Sequence, residues 1–414
     1  MHILLIHQYY LEKNDAGGSR FNEMTRIWAD EGHNITVLSG MIHANQTKKY
    51  ARYEGKYFFE EQYDNNIRVI RSHVSESYNI SFLGRLWAYF SYVLSSILAG
   101  FFLARDKYDI IVVTSPPLFV GFTAYILSIF KKVPFLFEIR DLWPESAIDT
   151  GVVQNKFIIK LAYWFESFIY QKAKKINVLT PAFRDSLVLK KAINPEKICY
   201  IPNAADFSLS EEILLSFDAN EFRKKLGIEN KFVITYVGAH GVANHLDQLL
   251  ETAELLKYSN VFFLLIGDGM KKQQLILDSQ KKGLVNVRFI NPVPKKEVFK
   301  YILASDMGTS VLKKVEAFKT VFANKTFDYM SCKKPVLMAI DGVSKDLIEK
   351  ADAGTFIEPE NAIDFAKKIL LYVNNPELIK KQGENGYNYA KLNFDRRILA
   401  LKYLEILKTM TKCT

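Results

Sequence analysis

At 414 residues, with 49% hydrophobic and 24% charged side chains, the chain is too long for one ordinary core and too apolar for a disordered or collagen-like polymer. Its three cysteines, Cys199, Cys332 and Cys413, lie far apart without CxxC spacing, which argues against a disulfide framework or a zinc site and fits a reducing compartment. The formal net charge of +10 suits phosphate-bearing substrates or an anionic membrane surface; no RNA- or DNA-binding signature accompanies it, so nucleic acid is not an expected partner.

The opening "MHILLIH" has no positively charged leader and reads as a first β-strand, so the cytoplasm is the expected location. Further strands are predicted at "NITVLSG", "IRVIRS", "DIIVVTS", "PFLFEIR" and "KINVLT", with room for a helix between most neighbours. A second series follows at "KFVITYVG", "NVFFLLIG", "NVRFIN", "DMGTSVL", "KPVLMAI" and "GTFIEP". Runs of this kind imply βαβ units and parallel sheets buried on both faces. The break falls at "YIPNAADFSLS", where Pro, Asn, Asp and Ser interrupt the pattern. The expectation is an α/β protein of two doubly wound domains facing a cleft, 1–203 and 204–387. A helical tail over 388–414 carries Leu399, Tyr403, Ile406 and Met410 on one face and packs back on the first domain.

Two stretches raise the question of a membrane. Residues 86–104 run without a charge, long enough to span. Three serines and the position between strands of one sheet favour instead a buried or membrane-facing helix of the first domain. "NKFIIKLAYWFESFIYQKAKK" mixes aromatic and basic residues and suits either a lipid interface or a core helix with a lysine-rich end. Between Gly151 and Tyr200 basic residues outnumber acids 9 to 3.

Ligands of open parallel sheets bind beyond the carboxyl ends of the strands. "PFLFEIRDLWPES" delivers Glu138, Arg140 and Asp141 to such an end, a convergence that points to a site more than to a salt-bridged strand end. After the first strand come Gly17-Gly18 and then Arg20, in a loop leading to a helix. Paired glycines let backbone approach a phosphate, although the pair is not a GxGxxG fingerprint. "YVGAHGVANHLDQLL" and "LLIGDGMKKQQL" repeat the strand–glycine–helix arrangement, with Gly238, His240 and Asn244 in one and Gly267 and Asp268 in the other.

Taken together, "AGGSRFNEM" with "EGHNITVLSG", "TSPPLFVG", "EIRDLWPES", "IPNAAD" and "FANKTFDYMSCKKPVLMAI" resemble the GT-B-fold glycosyltransferases of family 4 along nearly the whole chain. Within them the closest likeness is to the bacterial O-antigen and capsule enzymes of the L-fucosamine transferase type. The resemblance implies two Rossmann-like domains, a nucleotide-sugar donor held by the second and an acceptor by the first. It places the donor ribose on Asp328, the acid before "YM". The Arg and Lys that usually neutralise the donor pyrophosphate fall on Ala239 and Asn244, and the upstream acid of the E-x7-E motif falls on Thr320, departures that the fucosamine-type subgroup shares. Lys313, and Lys325 beside Asn324 in "NKTFD", are the candidate replacements, because a pyrophosphate needs positive charge in a desolvated cleft.

The family's acceptor-domain histidine aligns with Arg140, leaving Asp141 as the first candidate for receiving the acceptor proton and Glu138 as the second. No DxD triad occurs, so no metal and no cofactor beyond the UDP-sugar substrate are expected. The implied reaction moves a sugar such as N-acetyl-L-fucosamine onto an undecaprenyl-diphosphate-linked saccharide at the inner-membrane surface. A UDP-sugar 2-epimerase and a catalytically silent partner of a polysaccharide-assembly complex are the alternatives.

Overall fold

A computed structural model of the chain describes residues 1–13, 15, 17, 20–42, 48–79, 82–149, 151 and 153–411; Gly18 and Cys413 lie outside the described residues. The chain divides into two compact units. One comprises Met1–Lys13, Ser19–Pro202 and Arg397–Thr414, the other Asn14–Gly18 and Asn203–Arg396.

The first unit is built on eight strands: β1 (His2–Ile6), β2 (Asn34–Gly40), β3 (Phe58–Asp64), β4 (Ile67–Ser72), β5 (Ile110–Ser115), β6 (Phe135–Ile139), β7 (Lys175–Val178) and β8 (Ile198–Tyr200). They lie in the order β3-β4-β2-β1-β5-β6-β7-β8, all parallel except β3, which pairs antiparallel with β4 at the edge. Every residue of β5 and β6 is buried, as expected of strands covered on both faces. The connections β4→β5, β5→β6 and β6→β7 all cross the sheet in one direction, so right-handed crossovers put the helices Phe82–Phe102, Val120–Lys131 and Lys156–Lys172 on one face. The β1→β2 connection runs the other way and puts Arg20–Asp30 on the opposite face. There Trp28 Nε1 donates to the Ala400 carbonyl at 2.9 Å and its ring lies 5.5 Å from Tyr403 of the helix Arg396–Thr411.

Helix Phe82–Phe102 is pinned to the unit by polar contacts of its inner face. Tyr92 OH donates to the Leu38 carbonyl at 2.8 Å, Ser95 Oγ to the His73 carbonyl at 2.7 Å, and Ser96 and Thr123 hydroxyls meet at 3.0 Å. Among the described residues no helix is long and apolar enough to cross a membrane.

The second unit carries β9 (Phe232–Val237), β10 (Val261–Ile266), β11 (Val287–Ile290), β12 (Met307–Val311), β13 (Val336–Ala339) and β14 (Gly354–Phe356), all parallel in the order β11-β10-β9-β12-β13-β14. Both units are therefore Rossmann-like, and the α/β, GT-B-type reading of the sequence holds. The tail is not one helix. It breaks between Pro376–Asn393 and Arg396–Thr411, where Phe394 accepts from Ala205 N at 3.0 Å and Arg396 N donates to Ala205 O at 2.9 Å. In the second of these helices Leu399, Tyr403 and Met410 are buried as expected, while Ile406 is half-buried and Leu404 and Leu407 complete the face.

Candidate active site

The strand order of each sheet reverses direction at one point, between β1 and β5 in the first unit and between β9 and β12 in the second, and the candidate residues gather at or near those strand ends.

In the first unit β6 carries Glu138 inward, fully buried. Its carboxylate takes a two-pronged ion pair from Arg20, the first residue of helix Arg20–Asp30: Nε to Oε1 at 3.0 Å and Nη2 to Oε2 at 3.1 Å. Arg20 also donates to the carbonyls of Ile201 (2.8 Å) and Pro202 (2.5 Å), and Asn177 Nδ2 donates to Glu138 Oε2 at 2.9 Å. These contacts sew the start of a helix, β6, β7 and the chain after β8 into one knot. The Arg20 guanidinium, which the sequence reading placed among the donor-binding candidates, is 2% exposed and satisfied by these contacts. Glu138 is closed off by the same pair.

Asp141, two residues beyond the strand, is different. It is half-buried and accepts from Ser146 Oγ at 2.8 Å. Burial pushes its carboxyl up to about 6, the Ser146 hydroxyl opposing the shift and Glu145 adding to it. A group poised there can take a proton near neutral pH. Arg140 stands beside it, partly exposed. Behind Asp141 lies a cluster the sequence did not suggest: Lys191 Nζ bridges Glu145 (2.7 Å) and the buried Glu166 (2.5 Å). Burial drives Glu166 up to about 7 against the pull of Lys191.

In the second unit the loops after β9 and β10 interlock. Gly238 N donates to Ile266 O at 2.9 Å, His240 N to Asp268 O at 2.8 Å, and Lys271 N to His240 O at 2.9 Å. Gly267, at φ +144°, leaves no room for a side chain, since a Cβ there would sit 1.9 Å from the Gly238 carbonyl oxygen. His240 is fully buried, and neither ring nitrogen finds a hydrogen-bond partner. Burial pushes it down to about 4, so the ring is neutral. Asp268 is exposed, its Oδ1 turned back to Gly269 N at 2.8 Å. Lys272, which the sequence reading passed over, is buried and ties the loop down by donating to Gly267 O at 2.8 Å and Asn291 Oδ1 at 2.7 Å.

Against this pair of loops stands the helix Asn324–Ser331. Its inner face seats Tyr329, whose OH accepts from Val237 N at 3.0 Å and donates to Thr309 O at 3.2 Å. Its outer face carries Asn324, Lys325 and Asp328. The Lys325 ammonium lies 4.1 Å from the centre of the Tyr236 ring and 3.1 Å from where a Cβ on Gly238 would be. Burial alone pushes it down to about 7. A cation in the first turn of a helix also opposes the helix dipole, so its surroundings favour an incoming anion. Asp328 lies 3.9 Å from Lys295. Lys313 is exposed after β12, its backbone N–H donating to Ala243 O at 2.8 Å, and Asn244 closes a short turn at 3.2 Å from Gly241 O. The structure thus brings Gly238, His240, Gly267, Asp268 and Lys325 together. Gly17 is described, with φ +150°, but its intended partner Gly18 is not. Among the described residues no group of three or more His, Cys, Asp or Glu is arranged to hold a metal ion.

Two family models match the chain, the "Glycosyl transferase 4-like domain" over 16–204 and "Glycosyl transferases group 1" over 218–389. The chain is a glycosyltransferase of the GT-B, family 4 type. Its relatives include WcaI of Escherichia coli, described as a colanic acid biosynthesis glycosyl transferase, 20% identical over 98% of this chain and 99% of its own length. Similar solved structures include a sucrose-phosphate synthase from Thermosynechococcus elongatus (TM-score 0.75, 15% identity, all of both chains). Another is Anabaena HepE in complex with UDP and glucose (TM-score 0.71, 16% identity, 99% of this chain and 100% of the other). At such identities these structures speak to the fold alone.

Proposed function

We propose that this glycosyltransferase moves a sugar from a UDP-sugar to a lipid-linked saccharide at a membrane surface, in the assembly of a bacterial surface polysaccharide. N-acetyl-L-fucosamine is the sugar and an undecaprenyl-diphosphate-linked chain the acceptor that the sequence resemblance favours. The observation that carries the reading is Lys325, a cation held in a desolvated niche beside Gly238 and a helix N-terminus. A donor pyrophosphate supplies the negative charge that such a niche lacks. It does so where Ala239 and Asn244 replace the family's usual cations. The polysaccharide pathway named for WcaI supports the same choice.

In this reaction the bond between the sugar and the UDP β-phosphate breaks and a bond to an acceptor hydroxyl forms. Asp141 receives the hydroxyl proton if the sugar inverts; if it is retained, the leaving phosphate takes that proton and Asp141 orients the acceptor. Asp328 holds the donor ribose, with the Gly238–Gly267 loops and the neutral His240 lining the approach to the phosphates.

Calorimetric titration with UDP, GDP and ADP, with and without magnesium, tests the donor assignment. UDP binding that exceeds the other two and ignores magnesium is expected. Absence of any nucleotide binding would turn Ala239 and Asn244 into the marks of a silent assembly partner.

A further inference from the structure

Helix Phe82–Phe102 has an outer face of unusual character. Its exposed side chains among the described residues are Leu83, Trp87, Phe90, Leu94, Leu98 and Phe102, each 39 to 74% accessible. They recur at helical spacing along all 21 residues, where a water-facing helix would place charges. The neighbouring helix Val120–Lys131 repeats the pattern, exposing Phe122, Ile129 and Phe130. Ring contacts join the two, Phe101 to Phe130 at 4.5 Å, and join the second to the third, Tyr125 to Phe168 at 5.0 Å. That third helix, Lys156–Lys172, adds exposed Phe157, Leu161 and Trp164. The three lie side by side on one face of the sheet, and the apolar surface is continuous across them.

We infer that this three-helix face seats the protein on an anionic bilayer, with helix Phe82–Phe102 lying flat in the interface. Charge decides between a bilayer and a second copy of the chain. The three helices expose no carboxylate: the first two contain none and Glu166 of the third is buried. Their exposed charges are Lys156, Lys160 and Lys172, with Lys132 following the second helix. Pairing two such faces would set lysine against lysine, whereas anionic headgroups complement them while the apolar stripe enters the acyl boundary. Trp87 and Trp164 are the residue type favoured at that depth. The polar pins from Tyr92, Ser95 and Ser96 hold the helix against the unit and keep it parallel to the surface.

The inference shares with the proposed reaction only the location of the acceptor, and its test uses neither donor nor acceptor. The full chain is floated with vesicles of phosphatidylglycerol and phosphatidylcholine. Wild type should partition to them, and Trp87→Gln/Leu94→Gln should reduce partitioning about tenfold or more, as loss of two large apolar contacts requires. Lys156→Glu/Lys160→Glu should weaken binding and flatten its salt dependence. Leu215→Gln/Tyr258→Gln, still more exposed apolar residues of the second unit, should leave it unchanged. Both altered side chains of the first variant are exposed, so its melting temperature should match wild type. Wild type that ignores vesicles, a Trp87→Gln/Leu94→Gln variant that still binds fully, or a wild-type dimer that this variant dissolves would each overturn the inference. Sugar transfer to a water-soluble acceptor would be untouched by any of these results.

Discussion

Lys325 makes proton traffic a readout of donor binding. With the ammonium at about 7 in the free protein, roughly half the molecules carry it charged at neutral pH and about a tenth at pH 8. A pyrophosphate at contact distance favours the charged form and restores the ordinary lysine value near 10. UDP binding should therefore draw in about 0.5 proton per site at pH 7 and about 0.9 at pH 8. Because binding selects the protonated form, affinity should fall as pH rises, about fivefold from pH 7 to 8 and about tenfold from pH 8 to 9. The assay is calorimetry at pH 8, where UDP is fully ionised, in two buffers of different ionisation enthalpy. The slope of binding enthalpy against buffer enthalpy counts the protons. Lys325→Met should bind UDP more weakly and bring the count near zero. UDP binding by the wild type with an enthalpy independent of buffer would refute the placement of the phosphates beside Lys325.

Four further outcomes are expected. Asp141→Asn should lose most turnover while keeping UDP affinity, and wild-type kcat/KM should fall as pH drops through about 6, a limb the variant lacks. The same substitution should stabilise the fold at pH 7. A carboxyl raised from 3.8 to about 6 weakens folding as pH climbs through that window, by up to ~3 kcal/mol at neutral pH, and urea unfolding at pH 4 and pH 7 measures the difference. Arg20→Met should cost about 3–5 kcal/mol in the same assay by stranding Glu138, and Arg20→Met/Glu138→Leu should recover part of it. Gly267→Ala should lower the melting temperature and abolish UDP binding, since its methyl group would push the Gly238 loop off the phosphate niche; UDP affinity within twofold of wild type, about 0.4 kcal/mol, would sink that reasoning.

Much of the architecture could be read from the chain because buried parallel strands are written as unbroken apolar runs. β3 escaped for the opposite reason. "FFEEQYD" is an edge strand whose Glu60 faces water, as edges that avoid aggregation do, while Glu61 turns in to pair with the buried Arg71. β8 has three residues, too few to carry a period. The tail looked like one helix because its sequence spacing continues through Phe394 and Asp395, whereas the break is imposed by backbone bonds to Ala205, remote in sequence. At the site, the strand-end glycines were legible as places where backbone approaches a ligand, and at Gly267 the structure leaves no room for a side chain. The fate of Glu138 was not, because its partner Arg20 lies 118 positions away. Nor was Lys191, whose place between Glu145 and Glu166 depends on two helices meeting. Sequence brings charges to a strand end; only packing decides which are sealed, and here Glu138 is fully buried in its ion pair while Asp141 stays partly accessible.

The interlocked loops also bear on how a descendant of this enzyme would look after losing its chemistry. Gly267 abuts backbone, so selection for folding alone would keep it, along with the inward-facing Tyr329. Their persistence in a gene would say nothing about activity. Lys325 has the reverse status: its partly desolvated charge burdens the fold unless a ligand offsets it. Drift without catalysis should replace it early with an apolar residue, and a lysine retained there across diverged copies would be the signature of a working transferase.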